Sequence, residues 1–382
     1  MFPTLVARRL VSVLALATVL AGCGGDGPDN RDGRDNTAAS LCAVEGEGVN
    51  WAALAALNCP QLADYRLLDA LGEPRNPGQL FEPSVALFTD YARKTRAIYL
   101  PPGGQMQFDD SAPFAFPDGS VLLKTFSLPT TTSDTAPHTP VETRLLIRRE
   151  GRWYGLPYVW REDGTDADLR LGGALLPRQI IRDAIQVDFT YRVPDAGQCA
   201  LCHQQSDASA SGRAMLPIGL RARYLNHPGR LPPSGNQLRH WAASGLLEGA
   251  PEELDALLTV PVATADTTTL AERARGYLDI NCRHCHVDQG SGGLSGLRLG
   301  YEEDPGSLRY GICKQPPGYD GGAAGLNYDI VPGDASASIL PYRMAHTAPR
   351  DRMPPLGRSL VHDEAVAMVS AWIDGMPPVS CD

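Results

Sequence analysis

From about Leu80 to Val193 apolar and polar positions alternate in short runs bounded by turn residues. Ser120-Val121-Leu122-Leu123-Lys124-Thr125-Phe126 and Glu142-Thr143-Arg144-Leu145-Leu146-Ile147-Arg148 are rich in β-formers. Successive side chains of a strand face opposite ways, so such runs suit half-buried strands. Trp153 to Trp160 reads the same way. So does Ile185 to Val193, where Val187, Phe189 and Tyr191 alternate with Asp188, Thr190 and Arg192. Pro117-Asp118-Gly119 and Glu150-Gly151-Arg152 supply turns between them. The pattern predicts an antiparallel β domain arranged as a sandwich.

Elsewhere the period is helical. Trp51, Leu54 and Leu57 predict a short helix, and Leu238 and Trp241 share a face between Asn236 and Ser244, with Gly245 as a stop. Thr269-Leu270-Ala271-Glu272 has the form of a capping box and opens a run in which Leu270, Ala274, Tyr277 and Leu278 recur. A closing helix is predicted over 363–374 from Val366, Val369, Trp372 and Ile373; Gly375 and Pro377-Pro378 end it. The expected fold class is α+β and multidomain. A sandwich-like β-rich domain covers 42–195, a short mixed segment 196–262 and an all-α domain 263–382.

The first residues read differently. Arg8 and Arg9 precede an apolar run from Leu10 to Leu20 that is too short to span a bilayer. The run ends in Leu20-Ala21-Gly22-Cys23, which resembles the bacterial lipobox. That resemblance implies a signal peptide over 1–22, lipidation at Cys23 and an exported, periplasm-facing protein. Gly24 after the cysteine favours the outer membrane. Residues 23–41 are small and polar, as expected of a tether.

Charge narrows the partners. The formal net charge of −10 becomes −12 once Arg8 and Arg9 are removed. That argues against nucleic acid and suits a basic protein partner. At 382 residues, with 39 Gly and 32 Pro, the chain has room for two or three loop-rich domains.

Four of the nine cysteines fall in two copies of one motif, Cys199-Ala200-Leu201-Cys202-His203 and Cys282-Arg283-His284-Cys285-His286. In an exported chain Cys-x-x-Cys-His reads as covalent haem attachment. The thiols become thioethers and the histidine supplies the proximal nitrogen to iron. The competing readings are a redox disulfide and half of a zinc site, though a zinc ribbon does not require His after each pair. The expected cofactors are therefore two haem c groups, with His203 and His286 as proximal ligands. Cys42, Cys59, Cys313 and Cys381 remain. They predict disulfides Cys42–Cys59 and Cys313–Cys381, although four cysteines allow three pairings. For the second iron, Met353 in Met353-Pro354-Pro355 is the leading distal ligand, ahead of Met344 and His346. For the first, Met215, His240, His227 and an open site all compete. Arg283, Arg298, Arg309 and Arg343 are candidates for pairing with haem propionates. Asp163, Asp166 and Asp168 match no full calcium loop and read as a solvated acidic turn.

The helix before the second motif and the closing helix follow the plan of cytochrome c, in which Ala274 and Leu278 would cross Val369 and Trp372. From Pro83 onward the chain resembles a family of exported di-haem c-type cytochromes. The matching stretches include Val121 to Phe126, Leu156-Pro157-Tyr158-Val159-Trp160, Gln198 to His203, Pro217-Ile218-Gly219, Tyr277 to His286, Gly311-Ile312-Cys313-Lys314 and Gly357 to His362. The resemblance implies two covalent haems and single-electron transfer between redox donor and acceptor proteins. The alternative is a peroxidase-like di-haem enzyme with an open distal face at the first haem.

Overall fold

The computed structural model describes residues 40–132, 137–207, 212–229 and 235–381. The expected signal peptide over 1–22, Cys23 and nearly all of the expected tether lie outside the described residues.

The alternating runs form one six-stranded antiparallel sheet. Its strands are β1 (Gln79–Leu80), β2 (Arg93–Tyr99), β4 (Val121–Pro129), β5 (His138–Arg149), β6 (Arg152–Trp160) and β7 (Ala167–Leu169), in the order β1-β2-β4-β5-β6-β7. The short β3 (Met106–Gln107) lies outside it and pairs in parallel with Leu247–Glu248. Register is set by which face is buried. Ala97, Tyr99, Val121, Leu123, Leu145, Ile147, Leu156 and Tyr158 all project to one side. There they pack on α1 (Trp51–Ala56) and on Leu62, Tyr65 and Leu67, in a layer stapled by the Cys42–Cys59 disulfide. The opposite side of the sheet faces the chemistry described below.

Two expectations change. The sheet is not one half of a sandwich. β8 (Ala174–Arg182) and β9 (Ile185–Val193) form a separate two-stranded hairpin, joined just beyond the end of β4 by a bridge between Ile181 and Thr131, and Tyr191 and Val193 meet Phe126, Leu128 and Val141 of the sheet. Period-two alternation reports a half-covered strand but not what covers it. Residues 263–382 are likewise not an all-α domain. They hold α5 (Leu270–Leu278), α6 (Ile339–Ala345) and α7 (Asp363–Asp374), joined by long loops with bridges Ile312–Ile330 and Tyr328–Ser338. The Gly- and Pro-rich stretch between α5 and α6 carries no helical period. The fold is thus mixed α/β, with one large antiparallel sheet and few, short helices.

The capping box at the start of α5 forms: Glu272 N–H donates to Thr269 Oγ1 and Thr269 N–H to Glu272 Oε2. Ala274, Leu278, Val369 and Trp372 meet in one buried cluster. Each of the larger side chains contributes roughly 1.5–3 kcal/mol by its burial. The Cys313–Cys381 disulfide ties the end of the chain to the loop after α5. Among the described residues, no helix is long and apolar enough to cross a membrane.

Candidate functional site

Each Cys-x-x-Cys-His motif is positioned by a capped or extended helix. After β9, Asp195 caps α2 (Ala196–His203): its carboxylate accepts from Gln198 N–H, and the Gln198 side chain accepts from Asp195 N–H. Helical spacing then turns Cys199, Cys202 and His203 towards one side. Cys199 lies against Gly155 of β6, where a Cβ would sit 3.1 Å from its sulfur. The second motif continues from α5 through a wider turn over Asp279–Arg283. Asn281 fixes that turn: its Oδ1 accepts from Phe88 N–H and its Nδ2 donates to Tyr277 O. His286 N–H donates to Cys282 O at 2.9 Å, closing the motif on itself.

Two cavities border these motifs. One, of about 180 Å³, lies between the inner face of the sheet and α2 and is bordered by Cys199, Cys202 and His203. The other, of about 410 Å³, is bordered by Cys282, Cys285 and His286 together with Met344, Met353 and Pro355. They adjoin: Cys202, Asn281, His284 and Pro354 border both. The motifs therefore meet, and the nearest ligand atoms of Cys202, Cys285 and His284 lie within 4.8 Å of one another. Ser291 Oγ donates to Leu201 O at 2.8 Å and fastens the two segments together.

Both motif histidines are held in one tautomer. His203 Nδ1 donates to Leu216 O at 2.8 Å. His286 Nδ1 lies 3.1 Å from Ser295 Oγ, whose own proton goes to Gly292 O, so the imidazole is the donor. In both rings Nε2 keeps its lone pair, and among the described residues it has no hydrogen-bond partner. Burial pulls both imidazoles down to about 4, so they are neutral at neutral pH. Burial raises the thiols of Cys199 and Cys282, the latter to about 12. In the Cys202–Cys285 pair the shared hydrogen bond raises Cys202 and lowers Cys285.

The structure sorts the remaining candidates. Met353 and Met344 both border the second cavity. Arg358 holds the Met353 loop by donating to the carbonyls of Met344, His346 and Met353. His346 stacks on Tyr342 with Nδ1 on Tyr342 O and does not border either cavity. Met215 is not brought into the first cavity. It pairs with Gln204 across the hairpin of β10 (Gln204–Asp207) and β11 (Gly212–Met215), next to the Leu216 carbonyl that anchors His203, and packs on the neighbouring core. His227 uses its ring nitrogens on Pro228 O, Glu82 O and Gln237. His240 lies on α4 (Gln237–Ala243), away from both cavities.

Three of the four candidate arginines pair with carboxylates of the protein. Arg283 pairs with Glu302, Arg298 with Asp288, and Arg309 with Asp288 and Glu303. Arg343 borders the second cavity, with Nε on Asp351 O. Asp166 and Asp168 serve the protein itself: Asp166 accepts from Ala63 N–H, and Asp168 pairs with Arg161. Sequence reasoning missed Arg96, Lys124, Arg144 and Arg358, all of which border the first cavity. The only signal for the first three was a basic residue at an inward position of a β run.

The chain matches no known family, no characterised protein and no solved structure.

Proposed function

We propose that this chain is an exported di-haem c-type cytochrome that transfers single electrons at the periplasmic face of a membrane. The observation that carries the reading is the apposition of the two motifs, Cys202 beside Cys285, each at the wall of its own cavity. The residues suit haem on three counts. Each motif offers two thiols and a neutral imidazole with a free Nε2. Gly155 leaves the space that Cys199 needs. Met353 and Met344 give the second cavity, which its motif also borders, a soft thioether donor.

Each haem would supply a one-electron couple tuned by its axial ligands and surroundings. Cys202 and Cys285, which lie close together, would hold the two groups near each other and give an electron a short path between them. Leu201 and Leu294 stand exposed beside the two motifs, giving a partner an apolar edge to meet. The finer expectations belong to the same proposal: a cytochrome c-like arrangement of α5 and α7, and a lipid anchor at Cys23 in the outer membrane.

The first cavity favours a second reading. Among the described residues, no methionine borders it, so an open iron there, and peroxidase-like turnover, is the alternative. The test is a reversible redox titration alongside a peroxide assay. Two one-electron steps per chain with no peroxide turnover support the carrier. Catalytic peroxide reduction with a high-spin ferric signal supports the enzyme. A stoichiometric zinc ion on Cys202, Cys285 and His284 removes both.

A further inference from the structure

The face of the sheet beneath the first cavity carries a row of cations. Arg96 of β2 stands directly opposite Lys124 of β4, and Lys124 directly opposite Arg144 of β5. All three border the cavity. Like charges placed directly across strands destabilise a sheet, and burial raises that cost. One member is compensated: Arg144 pairs with the fully buried Glu142, which also accepts from Tyr191 Oη at 3.0 Å. The other two are not. Among the described residues Lys124 has no hydrogen bond or ion pair. Its Nζ lies over the Phe126 ring, 4.8 Å from the centroid. Arg96 donates only to Lys94 O, at 3.2 Å, and has no ion-pair partner among the described residues. Two half-buried cations, neither with an ion-pair partner among the described residues and side by side at one cavity wall, imply an anion that the cavity is built to receive.

We propose that Arg96 and Lys124 form a carboxylate cradle, and that the carboxylates it takes are the propionates of the haem attached at Cys199 and Cys202. The proposal rests on the haem reading above. It also accounts for the neighbouring row, Ile98–Leu122–Leu146–Gly155, which is apolar and lies one step nearer Cys199. A haem joined at Cys199 meets apolar wall first and charge farther out, which is the polarity of a porphyrin with vinyls at one edge and propionates at the other. Burial and the adjacent cations hold Lys124 well below the usual lysine range, and burial brings Arg96 to about 10. A carboxylate beside them would relieve both effects.

The test uses the full holoprotein and the variants Lys124→Gln and Arg96→Gln, with Lys124→Arg as the charge-keeping control. Haem content is measured first; two haems in the wild type separates failure of the cradle from failure of the haem reading. The expected result for each Gln variant is a shifted propionate-bending band in resonance Raman and a lowered midpoint potential for one haem only, with Lys124→Arg close to wild type. If the Raman band stays put but added acetate perturbs the wild-type spectrum saturably and Lys124→Gln abolishes this, the cradle stands and its carboxylate is a free one. An unmoved band, potential and acetate response overturn the proposal. A change of iron spin state in Lys124→Gln also overturns it, because Lys124 would then be an iron ligand.

Discussion

Replacing Arg358 by Met should loosen the loop that carries Met353. Arg358 is 5% exposed, and its guanidinium is shared among five carbonyls. Nη1 donates to Leu360 O at 3.1 Å. Nη2 is within reach of Arg343 O, Met344 O, His346 O and Met353 O, at 2.8–3.3 Å. One Nη nitrogen has two hydrogens, so these contacts amount to about three full hydrogen bonds, each worth roughly 1.5 kcal/mol or more when the donor is charged. Methionine fills much of the volume but donates nothing, and the carbonyls at the end of α6 are left without that partner. The expected loss is about 4 kcal/mol, read as a drop in urea midpoint. Hydrogen exchange should speed up from 346 to 357, and the β-sheet should be spared. A loss below ~1 kcal/mol, or unchanged exchange in that loop, would refute the reasoning.

Met353→Ala should lower the midpoint potential of one haem and abolish the near-infrared thioether–iron band, because thioether ligation favours ferrous iron; Met344→Ala, at the neighbouring position of the same cavity, is the control. Gly155→Val should leave the first haem attached through Cys202 alone, since a Cβ at 155 would lie 3.1 Å from Cys199 Sγ; a red-shifted haemochrome band checks this. Replacing Cys313 and Cys381 together by Ala should cost roughly 4 kcal/mol by loop-closure entropy for a cross-link spanning 68 residues, measured by denaturant unfolding against a reduced wild-type control.

The elements that local pattern controls were legible in the sequence. The runs at 120–126, 142–148 and 153–160 became β4, β5 and β6, and the closing helix spans Asp363–Asp374. Thr269 and Glu272 cap as their spacing suggested. What depends on tertiary placement was not legible. Cys202 and Cys285 lie far apart in the chain, and nothing local says that their segments touch. Lys124 looks like a lone polar residue in an apolar run until register sets it between Arg96 and Arg144. Met215-Leu216-Pro217 echoes Met353-Pro354-Pro355, yet here it is the Leu216 carbonyl that serves the site, by anchoring His203. The loops between α5 and α6 defeated an all-α reading because Gly- and Pro-rich sequence fixes turns rather than a periodic face.

The central claim is that each motif carries its own covalent haem. Intact mass together with a pyridine haemochrome assay, on protein matured with the haem-attachment machinery, tests it most directly. The account predicts two haems per wild-type chain and one in each of the double variants Cys199→Ala/Cys202→Ala and Cys282→Ala/Cys285→Ala. A wild-type mass with no haem, or with a Cys202–Cys285 disulfide or bound zinc in its place, would contradict it.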